Sequence, residues 1–283
     1  MKKGTPTPSE FRKIHGLGND YLVTESLGEL TPDLIRAICH RHTGLGSDGI
    51  LVPTASTVAD YGLRIHNPDG SEAEKSGNGI RIFAYWLVTH RAAPTEFTVE
   101  TLGGIVRCEV EGSVVSVDMG VATVEPDAVP VFAPSPFVDE ELPEMGGLRA
   151  TAIGMGNPHC VLFFDAPLDD LPWREWGPEI ENHPLFPNRT NVQFARVVAP
   201  NRIAMRIWER GAGETDASGS SASAVCAAAV GQGFCEPGHL VAEMPGGNLE
   251  VWVNEDGAVR IRGPVQEVGR MALSESWLRA QGC

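Results

Sequence analysis

Ser76 and Ser218 each stand between a Gly-rich polar turn and a long apolar run, in the stretches RIHNPDGSEAEKSGNGIRIFAYWL and RIWERGAGETDASGSSASAVCAAAV. Arg64 opens the first stretch and Arg206 the second, and in both a Ser-Gly pair follows twelve residues on. Serine before such a run is a preferred helix N-cap, and a helix mouth offers free N–H groups and a positive dipole end to a carboxylate. Two mouths facing each other would present a serine to either face of an α-carbon. That is the arrangement for two-base racemisation or epimerisation.

The elements that must position these serines occur twice. Gly16-Leu17-Gly18-Asn19 answers Gly154-Met155-Gly156-Asn157, Glu100–Gly104 answers Glu243–Gly247, and Val117–Gly120 falls opposite Ile261–Gly263. A repeat this long predicts two like domains rather than a solenoid. The expected fold is α+β: two pseudo-symmetric duplicated domains, each a curved sheet around a central helix. The first domain spans 1–120, with the tail 264–283 a candidate to complete it, and the second spans 121–263.

Strand patterns lie near 20–25, 50–53, 61–66, 96–100, 104–110 and 113–119. Thr31-Pro32-Asp33 opens a helix to about His42. A second helix runs from about Gly77 to Arg91, apolar on most faces and therefore central; its counterpart near Gly219–Gly233 is rich in alanine. The proline-rich stretch from Val121 to Met145 reads as the crossover between domains.

Other polar residues gather beside the serines. Asn19 and Asn157 end the two Gly-x-Gly-Asn turns, where asparagine also serves as a plain turn residue. His15, His66 and His159 adjoin these motifs, and a lone histidine is more often structural. Glu209-Arg210 precedes the second Gly-rich loop, where arginine can take a carboxylate bidentately and glutamate an ammonium.

Composition sets outer bounds. The chain has 283 residues, 42% of them apolar, and 22 Lys plus Arg against 37 Asp plus Glu give a formal charge of −15. Neither nucleic acid nor an anionic membrane surface suits that balance. No apolar run reaches the roughly 20 residues of a bilayer span, and MKKGTPTPSEF lacks a signal-peptide core, so a cytoplasmic enzyme is expected. Cys39, Cys108, Cys160, Cys226, Cys235 and Cys283 show no CxxC spacing and read as reduced core thiols, with no metal site. Gly44–Gly49 matches G-x-G-x-x-G in the reverse of its dinucleotide context, Asn188-Arg189-Thr190 is a sequon only in a secreted protein, and no H-E-x-x-H, P-loop or G-x-S-x-G occurs.

HGLGNDY (15–21), HNPDGSEAEKSGNGIR (66–81), GMGNPHCV (154–161), TNVQF (190–194) and ERGAGET (209–215) together resemble the diaminopimelate epimerase family over essentially the whole chain. The resemblance implies two pseudo-symmetric domains, no cofactor, and interconversion of LL- and meso-diaminopimelate by a residue at each helix mouth. It implies that Asn19, Asn67, Asn157, Asn191, Glu209 and Arg210 bind a small amino acid, with Asn67, Asn191, Glu209 and Arg210 at its distal end. The amides of Gly77, Asn78, Gly219 and Ser220 would hold the reacting carboxylate, with His159 in support; a homodimer is left open.

The family's two catalytic cysteines fall on Ser76 and Ser218. A helix mouth can lower a thiol from about 8.5 to roughly 3.5–7.5, whereas serine offers no such anion near neutrality. The pair reads as engineered, as a natural serine-type branch, or as a homologue that binds without catalysing; Ile82 and Ser221-Ala222-Ser223 favour the natural branch. Two other reactions begin with the same α-proton abstraction, a hydroxy-amino-acid dehydration and a double-bond isomerisation on the same fold. For either serine the activating base is an open question, with His66, His159 and Asp216 nearest in sequence.

Overall fold

The computed structural model describes residues 10–25 and 30–282, so most of MKKGTPTPSEF, and Cys283, lie outside the described residues. The first half contains β1 (Glu10–Gly16), β2 (Asn19–Val23), α1 (Pro32–Cys39), β3 (Ile50–Thr54), β4 (Tyr61–His66), β5 (Glu72–Ala73), α2 (Gly77–Arg91), β6 (Glu96–Thr101), β7 (Gly104–Glu111) and β8 (Val114–Val121). After the short β9 (Glu140–Glu141), the second half runs through β10 (Arg149–Gly154), β11 (Pro158–Phe163), α3 (Trp173–Glu181), β12 (Asn191–Ala199), β13 (Arg202–Glu209) and β14 (Gly213–Thr215). It continues with α4 (Gly219–Gly231), β15 (Gly238–Met244), β16 (Gly247–Val253) and β17 (Ala258–Pro264), and β18 (Gln266–Ala272) and α5 (Glu275–Ala280) close the chain.

Pairing is the same in both halves. In the first, β1–β2, β3–β4, β4–β5, β6–β7 and β7–β8 are antiparallel, while β2–β3 and β4–β6 are parallel. In the second, β10–β11, β12–β13, β13–β14, β15–β16 and β16–β17 are antiparallel, while β11–β12 and β13–β15 are parallel. The halves join where β8 pairs antiparallel with β17, from Val114↔Pro264 to Val121↔Ala258. β18 returns to the first half and pairs with β1, from Glu10↔Ala272 to His15↔Gln266. At the matching place in the second half, the chain after β8 bridges Thr123 to Gly154 and β9 pairs with β10. All the strands form one mixed sheet, an α+β fold with few helices.

Helices α2 and α4 are the centre. Ile80, Ile82, Phe83, Ala84, Trp86 and Leu87 of α2 are buried, and α4 is buried without exception from Gly219 to Ala229. Alanines let strands approach α4 on every side, while each large apolar side chain of α2 contributes about 1.5–3 kcal/mol by leaving water. Both helices share one apolar cluster with strands of both halves, and separate clusters lie under α1 and α3. The five described cysteines are free and buried, as core thiols should be.

Three elements depart from the sequence expectation. Helix α1 stops at Cys39 rather than near His42, because the His40 Nδ1 accepts from the backbone N–H of His42 at 3.2 Å and of Thr43 at 3.1 Å and turns the chain aside. Strand β1 carries no clean alternation, burying Phe11, Ile14 and Gly16 among charged neighbours, and is invisible to a period-two search. Helix α3 starts after Pro172 with no side-chain cap and contains Pro178, so it lacks a start signal. Among the described residues no helix is long and apolar enough to cross a membrane.

Candidate active site

Ser76 and Ser218 are the N-caps of α2 and α4 in near-identical extended conformations, φ −139°, ψ 115° and φ −147°, ψ 125°. Ser76 Oγ accepts from Gly79 N at 3.1 Å, and Ser218 Oγ from Ser221 N at 3.3 Å. The two helix mouths abut. A methyl group added to Gly77 would lie 2.8 Å from Gly219 Cα, and one added to Gly219 would lie 2.9 Å from Gly77 Cα. Only glycine permits that approach, so both Gly77 and Gly219 are needed.

Each serine has a second partner, and the partners differ in kind. Tyr21 places its hydroxyl 3.2 Å from Ser76 Oγ. Ser218 Oγ lies 3.4 Å from Ser220 Oγ, and the Glu209 carboxyl is near enough for the Ser218 hydroxyl to lower its pKa. Burial pushes the Glu209 carboxyl up to about 7, against the Ser218 hydrogen bond and with help from the Asp48 charge. Burial likewise raises the Tyr21 phenol above its ordinary value, reinforced by the Glu209 charge, so it stays protonated.

A narrow cleft, partly open to solvent, lies over the mouths. Ser76, Asn67, Asn157, Asn191, Glu209, Arg210 and Ser220 line it, as do Tyr21, Asp48, Glu74 and Lys75, which the sequence reading does not single out. Asn191 spans the cleft wall, donating to Pro158 O at 2.9 Å and accepting from Arg210 N at 3.0 Å. Arg210 reaches across to Glu74 of the first half at 2.5 Å. Lys75 donates to Met119 O at 2.5 Å, and burial lowers its ammonium to about 8.

The remaining expected residues lie just behind this lining. Asn78 Nδ2 donates to Asn19 Oδ1 at 3.1 Å and to Ala217 O at 2.8 Å, so α2 holds the backbone immediately before Ser218. Asn19 donates to Asp48 at 2.8 Å, and Arg81, fully buried, reaches Asn78 Oδ1 and Pro264 O. His159 touches neither serine: its ring nitrogens meet Asn157 Oδ1 at 2.8 Å and Gln193 Nε2 at 3.1 Å. Burial lowers it to about 3, helped by the Arg210 charge, so the imidazole is a neutral strut. Asp216 is exposed, and His66 is buried with its basicity lowered by burial. Among the described residues no cluster of three or more His, Cys, Asp or Glu is placed to hold a metal ion.

The architecture recurs in solved structures of low sequence identity. A probable proline racemase from Agrobacterium radiobacter superposes with a TM-score of 0.72 at 16% identity, covering 94% of this chain and 93% of that one. A phenazine biosynthesis protein of the PhzF family from Bacillus anthracis gives 0.68 at 17% identity, covering 95% and 99%. Sequence relatives are nearer. Diaminopimelate epimerase of Desulforudis audaxviator is 41% identical over 96% of this chain and 100% of its own length. Diaminopimelate epimerase 2 of a Nostoc species is 43% identical over 94% and 95%. The family model described as diaminopimelate epimerase matches residues 11–125 and 151–268, one stretch in each half and each containing one serine-capped helix mouth. On that match and on relatives alike from end to end, the chain belongs to the diaminopimelate epimerase family.

Proposed function

We propose that the chain is a cofactor-independent isomerase that inverts one α-carbon of diaminopimelate, interconverting the LL and meso forms. The observation that carries this reading is the contact of Gly77 with Gly219, which brings two serine-capped helix mouths together under one polar cleft. The reacting carboxylate sits at the amides of Gly77, Asn78, Gly219 and Ser220, where both helix dipoles favour an anion. Ser218 takes the α-proton on one face while its own proton passes to Glu209, and Ser76 returns a proton on the other. Asn67, Asn191 and Arg210 hold the distal amino-acid end, while Glu209, which the resemblance also places there, is assigned to Ser218 instead. Asn19 and Asn157 shape the cleft, with His159 bracing Asn157.

The division at residue 120, with 264–283 completing the first domain, belongs to the same reading, as do a cytoplasmic location and a homodimer. One observation favours a second reaction. A carboxyl beside Ser218 and a phenol beside Ser76 make one basic and one acidic face, which also suits a hydroxy-amino-acid dehydratase or a double-bond isomerase. Proton NMR in D2O with LL-diaminopimelate and a panel of hydroxy amino acids decides between them. Loss of the α-proton signal with appearance of the meso form supports epimerisation. Elimination from a hydroxy amino acid, with diaminopimelate unchanged, refutes it.

A further inference from the structure

Ser76 lines the cleft, Ser218 lies buried just behind it, and the two have different polar company. Ser218 has a carboxyl that can receive its proton. Ser76 Oγ accepts from the Gly79 N–H at 3.1 Å and lies 3.2 Å from the Tyr21 hydroxyl, which can donate to it or accept from it. The Tyr21 ring is held rigidly for this. It is buried on β2, and a methyl group at Gly49 would collide with His66 O and come 2.7 Å from the ring's Cε1, so glycine at 49 leaves room for the ring.

We infer that Tyr21 is a positioning residue for Ser76, making it the proton-donating face of the site through the paired donors Tyr21 O–H and Gly79 N–H. This rests on the epimerase reading above. With both donors pointing at Oγ, the serine's own proton is left to point into the cleft. When the α-carbanion takes that proton, the Oγ–H bond breaks, a Cα–H bond forms, and the two donors stabilise the negative charge left on Oγ. On the opposite face the original Cα–H proton has gone to Ser218, whose proton has gone to Glu209. One proton enters and one leaves, and exchange with solvent resets the pair; the reverse reaction exchanges the roles.

A thiolate is stable at a helix mouth without such help, so the contribution of the phenol must depend on what stands at position 76. The test is a cycle of Tyr21→Phe, which keeps the ring, in the Ser76 chain and in its Ser76→Cys form, following α-hydrogen exchange of diaminopimelate. In the Ser76 chain Tyr21→Phe should lower kcat about ten- to hundredfold with KM within about twofold. In the Ser76→Cys form the loss should be under about threefold, and the pH limb near 7 should be unchanged in both. Equal losses in the two backgrounds, or none in the Ser76 chain, overturn the inference by reducing Tyr21 to packing. A Ser76 chain that exchanges no α-hydrogen while its Ser76→Cys form does also overturns it, because the supported serine then donates nothing. Exchange in none of the four proteins removes the epimerase reading itself, a different outcome from either.

Discussion

A carboxyl that titrates near neutrality beside a hydroxyl determines when that hydroxyl can pass its proton on. Glu209 is pushed up to about 7 chiefly by burial, so its ionised fraction, and the exchange rate with it, should rise as pH rises through that value. Glu209→Gln should abolish this limb and lower the rate about a hundredfold, as read from a pH profile of α-hydrogen exchange; a limb that survives in the variant would place the titration elsewhere. The stability effect has the opposite sign. Because the folded carboxyl binds its proton more tightly than the unfolded one, which titrates near 4.5, Glu209 makes the fold less stable as pH rises from 4.5 towards 7. The sequence marks Glu209 as a cleft residue, since it precedes a Gly-rich loop. Its nearness to Ser218 is not legible there, because the two residues come from separate elements, the end of β13 and the cap of α4. Tyr21 hides for another reason: a tyrosine in an apolar strand reads as core. His159 is legible only as a cleft neighbour, and Gln193, from the adjacent strand, claims its Nδ1.

Helices α2 and α4 act at the next scale, since their mouths must touch for one α-carbon to meet both serines. The Ser-Gly pairs, the apolar run of α2 and the alanines of α4 are all plain in the sequence, and both helices begin where it places them. What it cannot give is their meeting, which requires both backbones to approach within the reach of a single methyl group. Gly219→Ala tests this directly. The added methyl would fall 2.9 Å from Gly77 Cα, where backbone rather than a flexible side chain must yield. A loss of about 1–3 kcal/mol of stability is expected, measured by denaturant unfolding, together with a large loss of diaminopimelate exchange. Unchanged stability and activity would show that the mouths have slack. Both serines are also caps, each worth about 1 kcal/mol, so alanine at 76 or 218 confounds stability with chemistry and cysteine is the more informative replacement.

In the whole molecule, the duplication visible as repeated motifs becomes two copies of one pairing pattern, joined edge to edge through β8 and β17. Arg260 with Glu109 and Arg262 with Glu111 tie the same seam. Repeats in a sequence reveal the copies but not the joint, because strand neighbours far apart in the chain leave no local pattern; the pairing of β18 with β1 is of that kind. The joint matters to function, since it fixes the two halves so that Gly77 meets Gly219 and Arg210 reaches Glu74 across the cleft. On the proposed reading, such a site would hold diaminopimelate with hydroxyls where the resemblance implies thiols. Serine at a helix mouth gains only about one pKa unit from the dipole, so proton transfer rests on Glu209 and Tyr21 and should be slow. The most direct test is the rate of α-hydrogen exchange of LL-diaminopimelate in D2O, measured for this chain and for its Ser76→Cys, Ser218→Cys double variant under identical conditions. Slow exchange by the serine form, with a gain of about a hundredfold or more on restoring both thiols, is the predicted result. Exchange as fast with serines as with cysteines, or in neither protein, would contradict it.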